Sequence, residues 1–151
     1  MTHRGSQRFR LFLDANVLIS AAWKDASKVA RIWGIPNVEL VSSEYVLAEC
    51  WRNLPTPEQQ NRLSQLLVSV RVIDFSNAPA LDDQLLLPEP VLTEPVLHEK
   101  DQPVLAAAIL SRADSLVTGD RKHFGAWYGT TSFGLRIEPP ARFPEVLQEG
   151  D

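Results

Sequence analysis

Twice in this chain a short apolar, strand-like run ends on an aspartate and passes directly into a helix-compatible stretch. Near the start, Phe9, Leu11, Phe12 and Leu13 lead to Asp14, followed by Val17, Leu18, Ile19, Ala21 and Ala22. Later, Leu116, Val117 and Thr118 lead through Gly119 to Asp120, followed by Arg121, Lys122, His123 and Phe124. Taken singly, each is ordinary turn and helix-cap chemistry, since Gly-Asp favours turns and Asp caps helices. Repeated, the arrangement constrains the fold. In open α/β sheets ligands bind outside the carboxyl ends of the strands, so two such aspartates can address one site.

The rest of the chain supplies the same alternation. Residues 25–34, DASKVARIWG, allow a short helix with Asp25 or Ser27 as N-cap and Gly34 as stop. VELVSS at 38–43 reads as a strand, and SEYVLAECWRNL as an amphipathic helix ended by Pro55. Thr56 and Pro57 open a further helix whose Leu63, Leu66, Leu67 and Val70 form one apolar face. VRVIDF at 70–75 is a third strand. Residues 76–100 are proline-rich, which forbids a long helix or central strand, and read as a surface loop. DQPVLAAAILSRA is an Ala- and Leu-rich helix with Pro103 in its first turn. A short aromatic helix at HFGAWYG, a last strand near SFGLRIEP and a short helix in PARFPEVLQE close the chain. Strands alternating with helices predict a three-layer α/β/α arrangement, a central parallel sheet flanked by helices, in one domain over 1–151.

Composition narrows the chemistry. With 44% hydrophobic residues, 151 residues suffice for one sizeable core. No apolar run approaches a membrane span and MTHRGSQRFR lacks a signal-peptide core, so the expectation is a cytoplasmic protein with no membrane partner. One cysteine, Cys50, excludes an intramolecular disulfide and a Cys-rich zinc site. His3, His98 and His123 have no zinc-like spacing, which argues against a histidine-rich site. A net charge of −4, from 15 basic and 19 acidic residues, argues against holding nucleic acid by bulk charge. It leaves room for a local basic rim around an acidic, metal-filled site.

Four acids are candidates for that site: Asp14, Glu49, Asp101 and Asp120. Asp101 opens the helix before the strand that leads to Asp120, where it would also serve as a cap. Glu49 lies among the apolar Leu47, Ala48, Cys50 and Trp51, and either faces solvent between buried positions or faces inward to a partner. Glu44, its competitor, sits at a helix start, where an acid needs no further explanation. Four ionised carboxylates cannot share a pocket without a cation, because like charges drive one another's pKa upward. A hard divalent ion removes the conflict and can activate water against a phosphodiester.

The set FLDANVLISA, SSEYVLAECWRNL, KDQPVLAAAILSRADSLVTGDRKHFG and GLRIEPPARF resembles the PIN domain family, nucleases that include VapC-type toxins of toxin–antitoxin pairs. The resemblance runs from about Phe9 to Phe143. It implies an Mg²⁺- or Mn²⁺-dependent endoribonuclease with an RNA substrate, and brings with it a cognate antitoxin and a homodimer as expected partners. Carried over by motif, the family's acids fall on Asp14, Glu49, Asp101 and Asp120, as catalytic and metal-binding residues. Its polar residue after the first aspartate matches Asn16, and its Ser or Thr before the last matches Thr118, both as supporting residues. Gly119 then allows close backbone approach. Arg121 and Lys122, with His123, are placed to meet a phosphate backbone, or else form a solvated helix start.

Two other readings compete. A haloacid-dehalogenase-like phosphatase also places Asp after its first strand, but needs a second Asp two residues on, where Asn16 stands. A non-catalytic PIN-like module would bind RNA or protein without four acids to maintain. Trp23, Trp33 and Trp51 are expected in core packing or a subunit interface, and Trp127 and Tyr128 in the core or as base-stacking surfaces.

Overall fold

The computed structural model describes residues 9–74, 101–132 and 134–147. His3, His98 and the proline-rich stretch 76–100 lie outside them. Six strands form one sheet: β1 (Phe9–Leu13), β2 (Val38–Ser43), β3 (Val70–Ile73), β4 (Ser115–Val117), β5 (Thr131–Ser132) and β6 (Leu135–Glu138). Their order across the sheet is β3-β2-β1-β4-β6-β5. Five of them run parallel, and the two-residue β5 pairs antiparallel with β6 at the edge. Leu11, Phe12 and Leu13 of β1 and all three residues of β4 are buried, as expected for central parallel strands covered on both faces.

The helices are α1 (Ala15–Trp23), α2 (Glu44–Arg52), α3 (Pro57–Leu67), α4 (Gln102–Leu110), α5 (Arg121–Phe124) and α6 (Pro144–Leu147). They flank the sheet in the α/β/α layering that the alternating sequence predicts. Local chemistry accounts for their ends. Ser43 caps α2 through Val46 N, and Thr56 with Gln59 forms a reciprocal capping box at α3, whose first residue is Pro57. The C-terminal carbonyls of α1, which have no partner within the helix, are taken up by α3. Arg62 donates to Ala22 O and Trp23 O, and Gln59 Nε2 to Trp23 O.

Three expectations are corrected in detail. Residues 29–34 form a 3₁₀ helix whose cap is Lys28, with no side-chain cap bond from Asp25 or Ser27; Ser27 Oγ instead donates to Ser20 O. The single last strand is a hairpin of β5 and β6, because the backbone turns at Gly134 with φ +77°. Val70 belongs to β3 and not to the apolar face of α3, where Leu63 is fully buried. Trp33 packs partly buried with its indole N–H on Leu66 O, whereas Trp23 and Trp51 stand at the surface. Trp127 and Tyr128 pack against the core. Among the described residues no helix is long and apolar enough to cross a membrane.

β2 and β3 extend the sheet to one side of β1, and β4 and β6 to the other. The strand order therefore reverses between β1 and β4, and the crevice at their carboxyl ends is the place where such sheets bind ligands. Asp14 and Asp120 stand at those two ends.

Candidate metal centre

Asp14 continues the β1–β4 pairing, its N–H bonding to Val117 O at 3.0 Å. Its side chain turns over the start of α1, where Oδ1 accepts from Ala15 N at 2.7 Å. Its other oxygen, Oδ2, accepts from Thr118 Oγ1 at 2.8 Å and from Asn16 Nδ2 at 3.3 Å. Thr118, fully buried at the end of β4, is the hub of the crevice. Its hydroxyl donates to Asp14 and accepts from Asp120 N at 3.1 Å and Asn16 Nδ2 at 3.3 Å. Asn16 closes the network by accepting from Gly119 N through Oδ1. A methyl on Gly119 would stand 3.2 Å from that oxygen, a tight contact that the Asn16 side chain would have to shift to admit.

Asp101 is the N-cap residue of α4 but makes no side-chain cap bond. Its buried carboxylate lies toward the crevice instead, with Oδ2 3.2 Å from His123 Nδ1. Capping therefore does not explain this acid. Asp120 caps the four-residue α5, Oδ1 accepting from His123 N at 3.1 Å, while Oδ2 lies 2.7 Å from His123 Nδ1. Asp101, Asp120 and His123 offer ligand atoms that all lie within 4.8 Å of one another.

Electrostatics ties Asp14 to the same neighbourhood. Its pKa rises from 3.8 to about 6, chiefly through burial. The hydrogen bonds from Thr118 and Ala15 oppose that rise, and the charges of Asp101 and Glu49 add to it. Glu49 is exposed on α2, outside the tight cluster, so of its two sequence readings the outward one describes its side chain. Its charge nonetheless reaches Asp14, and it also helps to raise the thiol of Cys50, which burial first of all pushes up to about 12. Cys50 is thus a packing residue, buried and protonated. Arg121 and Lys122 are exposed at the start of α5 and make no ion pair among the described residues.

The fold joins Asp14, Asn16, Thr118 and the backbone of Asp120 in one hydrogen-bond network, and sets Asp101 and Asp120 in one cluster with His123. The sequence did not reveal that His123 joins the acids, nor that Tyr128 O–H donates to Thr118 O at 2.7 Å and braces the end of β4. The position of His123 three residues after Asp120 was the available signal; its approach to Asp101, far away in the chain, was not. Glu138, at the end of β6, is a further buried acid. It is held by Ser115 Oγ at 2.7 Å and by Arg142 at 2.9 Å, and serves packing of the sheet edge.

A cation fits this donor set. Carboxylates gathered at the carboxyl ends of adjoining strands, one of them with its pKa raised by burial, are stabilised in ionised form by a hard divalent ion.

The sequence matches the family model of the PIN domain over residues 10–122. No curated protein sequence matches it. Among solved structures, the chain resembles VapBC2 from Rickettsia felis bound to a DNA fragment from its promoter. That match has a TM-score of 0.60 at 22% identity and covers 86% of this chain and 98% of the other. It also resembles Mycobacterium tuberculosis VapC20, a toxin that cleaves the sarcin–ricin loop. Here the TM-score is 0.53 at 18% identity, over 77% of this chain and 94% of the other. At these identities the likeness is one of fold.

Proposed function

The chain belongs to the PIN domain family, and from that premise we propose that it is a divalent-metal-dependent endoribonuclease acting at Asp14, Asp101, Asp120 and Glu49. The observation that carries this reading is Asp14. It is a buried carboxylate raised to about 6, in the field of Asp101 and Glu49, and wired through Thr118 to the backbone of Asp120.

In this mechanism Asp14, Asp101 and Asp120 would hold Mg²⁺ or Mn²⁺. When bound, the ion acidifies a water and offsets charge building on the phosphodiester. Thr118 and Asn16 fix the Asp14 carboxylate through Oδ2, and Oδ1, which accepts only from Ala15 N, keeps one lone pair with which it would meet the ion. Glu49, exposed on α2 but with its charge reaching Asp14, would take the proton from the attacking water as the water oxygen bonds to phosphorus. The bond from phosphorus to the leaving oxygen would break, and that oxygen would take a proton from solvent water. Arg121 and Lys122 meet the flanking phosphates. An acidic crevice admits splayed, single-stranded or loop RNA more readily than duplex. The likeness to VapBC2 bound to promoter DNA and to a toxin that cleaves the sarcin–ricin loop supports reading this chain as the toxin of a toxin–antitoxin pair. A cognate antitoxin and a homodimer are its proposed partners, and the cytoplasm its proposed compartment.

The test is a pair of assays with Mn²⁺, one on single-stranded and loop RNA and one on a phosphate monoester. Wild type should cut RNA and leave the monoester, and Asp14→Ala should abolish cutting while retaining the fold. Monoester hydrolysis without RNA cleavage would replace the proposal with a phosphatase. Metal binding without either activity would leave a non-catalytic module.

A further inference from the structure

His123 stands where a ligand would stand. Its Nδ1 lies 2.7 Å from Asp120 Oδ2 and 3.2 Å from Asp101 Oδ2. Adjacent ligands on an octahedral ion with bonds of about 2.1 Å are separated by about 3.0 Å, the edge of the octahedron. Both distances from the nitrogen are close to that edge, and the two oxygens lie within 4.8 Å of each other, near enough for all three atoms to reach one ion. The backbone anchors the ring there, because His123 N donates to Asp120 Oδ1 at 3.1 Å, within the single turn of α5. The imidazole is largely enclosed, with a side chain 20% exposed, so it is not a solvated surface group.

From this geometry we infer that His123 is a nitrogen ligand of the metal centre, and that the site selects divalent transition ions over Mg²⁺. The inference rests on the metal-dependent reading above and specifies it. Mg²⁺ takes oxygen ligands, whereas imidazole nitrogen favours first-row transition ions, and more strongly along the series from Mn²⁺ through Co²⁺ to Ni²⁺. A site of carboxylates alone shows that bias more weakly, so the nitrogen is read from how much of it is lost when the imidazole is removed. The competing role for His123 is that of a cation standing between two carboxylates. Such a residue would hold the acids together without touching the ion and would compete with every metal alike.

The two roles predict opposite responses. In calorimetric titrations at pH 7.5, the wild type should bind Co²⁺ more tightly than Mg²⁺. His123→Ala should weaken Co²⁺ by roughly tenfold or more, the scale on which ligand-shell changes act, and leave Mg²⁺ within about twofold. The visible absorption of bound Co²⁺ should shift, because its ligand set has lost a nitrogen. His123→Gln, which keeps a polar side chain of similar reach, should behave like the alanine variant. Pulsed electron paramagnetic resonance of Mn²⁺ bound to the unaltered protein should show coupling to a histidine nitrogen, a readout that needs no variant. Parallel changes in Co²⁺ and Mg²⁺ affinity, or an unshifted spectrum without nitrogen coupling, would overturn the inference while leaving the metal centre standing. Wild type that binds neither ion would overturn both.

Discussion

Replacing Asp14 by asparagine should stabilise the metal-free protein at neutral pH relative to acid pH. Asp14 has a folded-state pKa of about 6, above its ordinary 3.8. An acid whose pKa is raised by folding makes the fold most stable where it is protonated, and that stability is lost as pH rises through the window from about 4 to 6. The full loss is 2.2 units (6 − 3.8), or about 3 kcal/mol at 1.36 kcal/mol per unit. Asparagine has the shape of the neutral acid and does not titrate. It also has a fixed cost: its NH₂ would face Thr118 Oγ1 and Asn16 Nδ2 in place of an accepting oxygen, at roughly 1 kcal/mol. That cost is the same at every pH. The quantity to measure is therefore the stability difference between Asp14→Asn and wild type as a function of pH, by urea unfolding in EDTA. Between pH 4 and pH 7.5 it should move by roughly 2 to 3 kcal/mol in favour of the asparagine variant. A difference that stays flat over this range would refute the argument that burial among acids has raised Asp14.

The same titration should govern metal affinity: Mn²⁺ binding by wild type should weaken by about tenfold per unit as pH falls below 6, because the ion must displace a proton from Asp14, and pH-independent affinity down to pH 5 would contradict this. Thr118→Val removes the hydroxyl shared by Asp14 and Asp120 N; it should cost about 1–3 kcal/mol of stability by chemical denaturation and move the pH dependence of Mn²⁺ binding upward, since that bond lowers the Asp14 pKa. Replacing Arg121 and Lys122 together with alanine should raise the RNA KM severalfold and flatten its salt dependence by roughly one unit of slope per lost phosphate contact, with Mn²⁺ affinity unchanged; a normal KM and slope would identify them as a solvated helix start.

The fold was legible because its signals are local. Apolar runs of strand length, Thr56-Pro57 at a helix start and Pro55 at a helix end act within a few residues, and α2, α3, β1 and β2 lie where those signals place them. The turn at Gly134 and the 3₁₀ winding of 29–34 were not legible. The first depends on β6 finding β4, and the second on Ser27 reaching back to Ser20 O instead of capping. In the site, strand-end aspartates announced themselves through position alone. Asp101 looked like a helix cap, and only the folded arrangement shows that its carboxylate makes no cap bond and meets His123. His123 looked like one of three cations on a solvated turn. Its contact with Asp101 spans the whole of α4 and β4, and no pattern along the chain encodes that approach.

The central claim is that one carboxylate-built metal centre carries out RNA hydrolysis. It is tested most directly by titrating Mn²⁺ into the protein with RNA present, and following bound Mn²⁺ and RNA cleavage in the same samples for wild type and Asp120→Asn. The account predicts that cleavage by wild type rises over the range in which Mn²⁺ binds and vanishes in EDTA, and that Asp120→Asn loses both together. Cleavage that persists in EDTA, or in a variant that no longer binds the ion, would contradict it.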